Sequence, residues 1–272
     1  MIDLAAYDLA TYGRDGFLVL PDFLPPSDCD ALQARAAELV AGFDPGPVRT
    51  VFSSHDQGHA KAQYFRESGG AIRFFFEEEA TDQPAALALN KIGHALHDLD
   101  PVFDRISRQP RIAALAKALG FARPLLLQSM YLFKQPHIGG EVGWHQDATY
   151  LHTVPSTVTG FWIALDDADR DNGCLMALRG AHRGPLRERF HAQGGALITS
   201  TLDGSPWPET EPVALEARRG TLVVLHGLLP HASAPNRSSR ARHAYALHLI
   251  DGHAEYSPDN WLQRPDLDLR GF

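Results

Sequence analysis

Gly143-Trp144-His145-Gln146-Asp147-Ala148 lies between two apolar runs, Leu125-Leu126-Leu127-Gln128-Ser129-Met130-Tyr131-Leu132-Phe133 and Thr159-Gly160-Phe161-Trp162-Ile163-Ala164-Leu165. Both runs have strand character, and side chains two residues apart on an extended chain face the same way. His145 and Asp147 therefore point together while Gln146 turns away. With 14 His and 33 acidic residues in 272, chance alone gives roughly two His-x-Asp/Glu pairs, so the spacing proves nothing by itself. The second pair, His253 and Glu255, stands near Pro258, Asp259 and Asn260 and reads as a surface turn. Its context makes the first pair the candidate metal-binding pair.

A further ligand has to come from another strand. Gly220 to Gly227 is strand-like, Leu228-Leu229-Pro230-His231-Ala232-Ser233 begins another run, and Arg240 to Ile250 is a third. His231 is the candidate, with His226 and His248 as rivals. Two His and one carboxylate form the facial set that holds Fe(II) and leaves positions open for a cosubstrate and dioxygen. In the third run Arg242, Ala244, Ala246 and His248 share a face. An arginine fork beside small residues suits a bound carboxylate.

The earlier half of the chain reads as helix-rich, with one strand at Gly16 to Leu20. A helix capped by Ser27 or Asp28 runs to about Val40. The Gly- and Pro-containing section from Asp44 to Gly70 reads as a loop over the site. Ala85 to Leu99 reads as a helix with Leu89, Ile92, Leu96 and Leu99 on its apolar stripe. Pro110 to Leu119 reads as another, stopped by Gly120. From Leu125 short strands and turns predict a mainly β jelly roll with flanking helices, and Gln193 to Pro212 reads as an insertion between strands. We expect one domain over 1–272: a helix-rich N-terminal region over 1–124, a core about 125–251 and a tail 252–272.

Hydrophobic content of 44% and charged content of 21% fit a globular protein with a sizeable core. The net charge of −8 argues against nonspecific nucleic-acid binding. Two cysteines, Cys29 and Cys174, imply no disulfide framework. No apolar run has the length of a membrane span, and the N-terminus lacks signal-peptide features. The expectation is a cytoplasmic protein acting on a small molecule; oligomeric state is left open.

The chain resembles the phytanoyl-CoA dioxygenase family of Fe(II)/2-oxoglutarate oxygenases, most of all its domain-containing members. The resemblance spans nearly the whole chain and is carried by Asn90-Lys91-Ile92-Gly93-His94-Ala95-Leu96-His97, Gln128 to His137, Gly139-Gly140-Glu141-Val142, His145-Gln146-Asp147-Ala148 and Asn172-Gly173-Cys174-Leu175. One turn departs from the family pattern, Arg179-Gly180-Ala181-His182, away from the metal motif. The resemblance implies iron on His145, Asp147 and His231, and 2-oxoglutarate on Arg242 with Lys91, Met130, Trp162 and Ser233. Read on their own, Lys91 is a solvated helix lysine, Met130 is core filling and Arg242 is a surface strand end. Trp162 alternates with Phe161 and Ile163, so one of the two faces looks into the barrel. Trp144, Tyr150, Leu151 and Phe75 are candidates for the substrate mouth. Arg179, Arg183, Arg187 and Arg189 read as a solvated group, with phosphate binding as the alternative. The expected activity is hydroxylation of a small, partly apolar substrate, with dioxygen consumed and succinate and carbon dioxide released. Two other readings stand beside it: a module of the same fold that binds metal and cosubstrate without efficient turnover, and a zinc hydrolase, which leaves Arg242 unexplained.

Overall fold

A computed structural model describes residues 8–45, 50–51, 63–78, 80 and 83–272. The β-branched and aromatic runs pair into two principal antiparallel sheets. The larger has seven strands in the order Phe17–Leu20, Leu222–His226, Thr159–Ala164, Ala244–Asp251, Pro124–Leu132, Leu89–His94, Ile72–Phe76. The smaller has the order Val213–Leu215, Leu175–Ala177, His231–Ser233, Val142–His145. Together they make the predicted jelly roll.

Alternation divides the large sheet's side chains between two cores. Tyr131, Phe161, Ile163, Val224, Tyr245 and Leu247 face outward, against Leu32, Phe103, Ile112 and Leu115 of the helices Pro26–Ala41, Pro101–Ser107 and Pro110–Ala118. Trp162, Ala164, Val223, Leu225, Ala244 and Ala246 face inward, with Leu175 and Ala177 of the smaller sheet. Trp162 is thus on the inner face. The outer layer is also pinned by polar contacts at depth, such as Tyr245 Oη to Ser107 Oγ at 2.8 Å.

Five expectations change. Ala85 to Leu99 is not one helix: Ala85–Ala88 and Leu96–Leu99 are single turns flanking the strand Leu89–His94. Leu89, Ile92 and Leu96 are buried, but Leu99 is 47% exposed. Their spacing fits a helix, yet the segment gains more by pairing on both sides, Lys91 with Leu132 and with Phe75, and tertiary context overrides local pattern. The early helix begins at Pro26 with Pro25 at its cap and no side-chain cap, because proline's fixed φ suits the first turn; the Asp28 carboxylate instead accepts from Arg105 and Gln109. The strands Glu188–Gln193 and Ala196–Thr201 form a hairpin that reaches into the supposed insertion, turning at Gly194 and Gly195 with φ of 58° and 82°, where glycine meets no Cβ penalty. The residues before 124 supply three strands of the large sheet, so helices and core are interleaved. Of the Asp44 to Gly70 loop, 46–49 and 52–62 lie outside the described residues, while Gln63–Arg66 and Glu67–Gly70 are helical turns.

The segment beyond 251 is tied back by an ionic hub. Asp98, whose side chain is fully buried, meets Arg264, Arg108 Nη2 at 2.6 Å, Arg270 Nη2 at 2.8 Å and His97 Nε2 at 3.1 Å. Burial opposes its charge, but His97 and Arg264 prevail and hold the carboxyl far below the usual range. A depressed carboxyl stabilises the fold above its unfolded value and loses that contribution only as pH falls towards the depressed one. At neutral pH the contribution is complete. Asp98→Asn leaves Arg264 buried against a neutral amide, and breaking one side of a buried pair costs about 3 kcal/mol or more. Urea denaturation at pH 7 should show that loss.

Candidate metal centre

His145 ends the strand Val142–His145, Gln146 continues extended at φ −114° and ψ 135°, and Asp147 opens the short turn Asp147–Thr149. The extended Gln146 puts the His and Asp side chains on one side of the chain. His231 opens the strand His231–Ser233 and pairs in register with His145. Among the described residues, His145, Asp147 and His231 are the group of metal-competent side chains whose ligand atoms come together, all within 4.8 Å of one another.

The ring orientations follow from hydrogen bonds. His145 Nδ1 lies 2.8 Å from the Gly143 carbonyl, and His231 Nδ1 lies 3.0 Å from the Leu229 carbonyl. A carbonyl only accepts, so each Nδ1 carries the proton and each Nε2 presents a lone pair. Both Nε2 atoms lie 3.7 Å from Asp147 Oδ1. Burial pushes His145 down to about 4, with His231 acting the same way and Asp147 against it. Asp147 is held well below the usual carboxylate range: burial opposes its charge, but His231, His248 and His145 outweigh it. Two neutral imidazoles and one carboxylate with converging lone pairs fit a divalent transition metal.

The rival histidines separate cleanly. His226 packs against Tyr12 and His182, with ring centroids at 5.8 and 5.0 Å, away from the cluster. His248 stands behind Asp147, its Nε2 3.4 Å from Oδ2 rather than Oδ1. His253 is exposed in a turn and bonds to Asp251 at 3.0 Å, while Glu255 opens the short strand Glu255–Tyr256, so the second His-x-acid pair lies at the surface but is not wholly a turn.

A cavity of about 570 Å³ opens from the cluster, and Arg242, Lys91, Met130, Trp162 and Ser233 all line it. Arg242 is buried, not a surface strand end. Its Nη2 donates to Ser233 Oγ at 3.1 Å and its guanidinium lies 5.3 Å from the Trp162 ring centre. Its Nε and Nη1 are buried without a hydrogen-bond partner among the described residues. Burial lowers it to about 10, so it remains a cation at neutral pH. An unmatched buried guanidinium is costly, and a carboxylate is the ligand that its fork fits. Lys91 is likewise buried; burial pushes it down to about 7, with Glu77 pulling the other way. The single change from helix to strand converts the expected solvated lysine into a cavity-wall residue.

Trp144, Tyr150 and Leu151 also line the cavity, whereas Phe75 lies beneath Lys91, its ring centre 5.7 Å from Nζ. Sequence reading missed Phe65, Phe190 and Trp261, which complete the aromatic wall; Phe65 and Trp261 stack at 4.5 Å. They come from three distant segments with no shared motif. The four arginines are individually engaged: Arg179 with Asp15, Arg183 with the Arg14 carbonyl at 2.6 Å, Arg187 with Asp203 at 3.4 Å and Arg189 with Asp259 at 2.7 Å. Arg187 and Arg189 are largely covered, which corrects the solvated reading for those two.

The comparisons with known proteins agree with this geometry. The family model for phytanoyl-CoA dioxygenase (PhyH) matches residues 12–244. A mouse (Mus musculus) relative, phytanoyl-CoA dioxygenase domain-containing protein 1, is 44% identical over 97% of this chain and 96% of its own. The chain belongs to the phytanoyl-CoA dioxygenase family. Among solved structures, the epimerase SnoN in complex with Fe3+, alpha ketoglutarate and nogalamycin RO superposes with a TM-score of 0.67, at 19% identity over 94% of this chain and 88% of that one. EctD from S. alaskensis with 2-oxoglutarate and 5-hydroxyectoine gives 0.65, at 21% identity over 94% and 78%. At these identities the two structures speak for the fold.

Gln146, the residue between His145 and Asp147, is fully buried. Its Nε2 donates to Leu228 O at 2.8 Å and Pro185 O at 3.1 Å, and its Oε1 accepts from Arg187 N at 2.9 Å. It therefore ties the His145–Asp147 turn to the segment leading into His231. Gln146→Leu strands three backbone groups and should cost about 2 kcal/mol or more. Thermal unfolding of the metal-free protein measures it.

Proposed function

We propose that the protein is an Fe(II)- and 2-oxoglutarate-dependent dioxygenase that hydroxylates a small, partly apolar substrate with release of succinate and carbon dioxide. The observation that carries this reading is the pairing of a His-Asp-His cluster with a buried, partly unpartnered Arg242 in one cavity. His145, Asp147 and His231 would hold the iron, which when bound supplies the activation of dioxygen. Family membership, and the iron and ketoglutarate bound by SnoN, support the same cofactors here.

The chain's own contribution is positioning. Arg242 fixes the remote carboxylate of the cosubstrate, Ser233 Oγ orients the guanidinium, and Trp162 closes its face. Lys91, lowered by burial to about 7, adds an amine that is cationic in its protonated form, and Met130 packs on the adjoining strand. One carboxylate ligand leaves a divalent ion about one unit positive, less than a dianion carries, so further cations in a dry site matter. The small inward side chain of Ala246, which lines the cavity, leaves volume free. The aromatic wall of Phe65, Tyr150, Phe190 and Trp261 then offers the substrate an apolar surface and excludes water. The reaction belongs in a reducing, cytoplasmic compartment, in keeping with the buried and unpaired Cys29 and Cys174.

A coenzyme A thioester is a poor match for this mouth. Its phosphates call for a basic rim, yet Glu78, Glu141 and Glu188 line the described cavity, and Lys91 and Arg242 are its described Lys and Arg residues. The nearby arginines are neutralised by Asp15, Asp203 and Asp259 or held by a backbone carbonyl.

Two measurements test this. Succinate released from 2-oxoglutarate should appear with Fe(II) and not with Zn(II). Under the same conditions, Arg242→Lys keeps charge but loses the fork, raising the 2-oxoglutarate Michaelis constant about tenfold or more. Succinate release with Zn(II), or an unchanged constant in the variant, would defeat the corresponding assignment. Second, acyl-coenzyme A panels should stimulate succinate formation less than free acids and neutral lipophilic molecules do. Stimulation by the thioesters alone would reverse the substrate class.

A further inference from the structure

Asp147 has two oxygens in two different settings. Oδ1 faces His145 Nε2 and His231 Nε2, each at 3.7 Å. Oδ2 is buried, and the polar atom it faces among the described residues is His248 Nε2, at 3.4 Å. It also lies 2.9 Å from where a Cβ on Gly160 would stand, a distance too short for any side chain. Gly160 and His248 are register partners on neighbouring strands, Thr159–Ala164 and Ala244–Asp251. Two strands of the large sheet therefore make a recess that accepts the far edge of a carboxylate carried by the smaller sheet's side of the barrel.

From this arrangement we propose that His248 is a positioning residue: its Nε2–H holds Asp147 Oδ2, so that Asp147 offers the metal Oδ1 alone. Proton placement decides between the two ring nitrogens. His248 Nδ1 is buried and has no hydrogen-bond partner. A proton there would be an unmatched buried donor, which native structures avoid more strongly than an unmatched acceptor. On Nε2 the same proton faces an anionic oxygen that has no other partner. The tautomer with the proton on Nε2 therefore gives Oδ2 a donor and leaves Nδ1 as an acceptor. Gly160 completes the device by leaving the room that Oδ2 occupies. Without this hold the carboxylate is free to rotate about its own bond, and either oxygen or both can turn to the ion. Partners that orient metal ligands in this way typically contribute 10–100-fold in metal affinity. This role separates His248 from a fourth metal ligand, since it acts on the ligand's back edge and not on the ion.

The proposal rests on the reading of His145, Asp147 and His231 as the metal set, and the test keeps the two apart. Co(II) is titrated into the purified protein, and binding is read from its visible absorption bands with no substrate or turnover involved. Asp147→Ala and His231→Ala are the controls for the metal set and should abolish the bands. His248→Gln retains an N–H at the position of Nε2 and should bind Co(II) within about threefold of the parent, inside the range that loss of an orienting partner would exceed. His248→Asn places its N–H one bond short, and His248→Phe removes it; both should weaken binding about 10–100-fold and shift the bands. Gly160→Ala, which crowds Oδ2 directly, should behave like the Asn variant. Parental affinity and spectrum in both Asn and Phe variants would overturn the proposal while leaving the metal set intact. A Gln variant as weak as the Asn variant would overturn the donor role. If Phe does not fold, the Gln-against-Asn contrast decides alone. Should Asp147→Ala keep its bands, the metal set itself is wrong and the proposal falls with it.

Discussion

Keeping a carboxylate charged inside a protein is the constraint on which this architecture turns. Burial penalises the anionic form of Asp147, and three imidazoles surround it on two sides. His145 and His231 meet one oxygen and His248 the other. These residues come from three strands belonging to both sheets, and Gly160 on a fourth opens the space. Convergence at one buried anion requires the sheets to pack face to face with the registers observed. Buried charges demand partners of good geometry, so this point tolerates less slippage than an apolar core would.

Charge is distributed along the cavity in a way that follows from the same low dielectric. Arg242 and Lys91 stand at the inner end, both weakened as cations by burial. Glu78, Glu141 and Glu188 line it as well and are exposed. The cationic side chains and the acidic ones thus lie at one cavity together with the His145–Asp147–His231 cluster. Ala246 lines the same cavity, and the aromatic wall presents apolar surface. Steering and specificity in such a site come from the contrast between the ends more than from the chain's overall charge.

The aromatic wall depends on a region far from the metal in sequence. Trp261 belongs to the segment after the last long strand, and Arg264 and Arg270 bind that segment to Asp98. Leu126 N donates to the Arg270 carbonyl at 3.0 Å, so the segment also joins the edge of the core. The ionic hub and the substrate wall are thus two ends of one short stretch. Stability there and shape at the cavity are coupled through the chain between Trp261 and Arg270.

Local alternation carried much of the design. It put His145 with Asp147, set Arg242, Ala244, Ala246 and His248 on one face, and made Gln146 turn inward to the neighbouring loops. Turn chemistry placed the stop at Gly120, whose φ is 97°. These features depend on near neighbours along the chain, and a sequence displays them directly. The strand at Leu89–His94, the burial of Lys91 and the closeness of Gly160 to Asp147 were not legible in the same way. Each depends on which strands pair and in what register, through contacts between segments far apart along the chain. The apolar spacing from Leu89 to Leu99 satisfies a helix as well as a pair of turns around a strand, and only the hydrogen bonds of a neighbouring strand resolve it. Likewise a glycine shows in sequence that a side chain is missing, but the carboxylate that needs the space belongs to another sheet's edge and meets it only when the barrel closes.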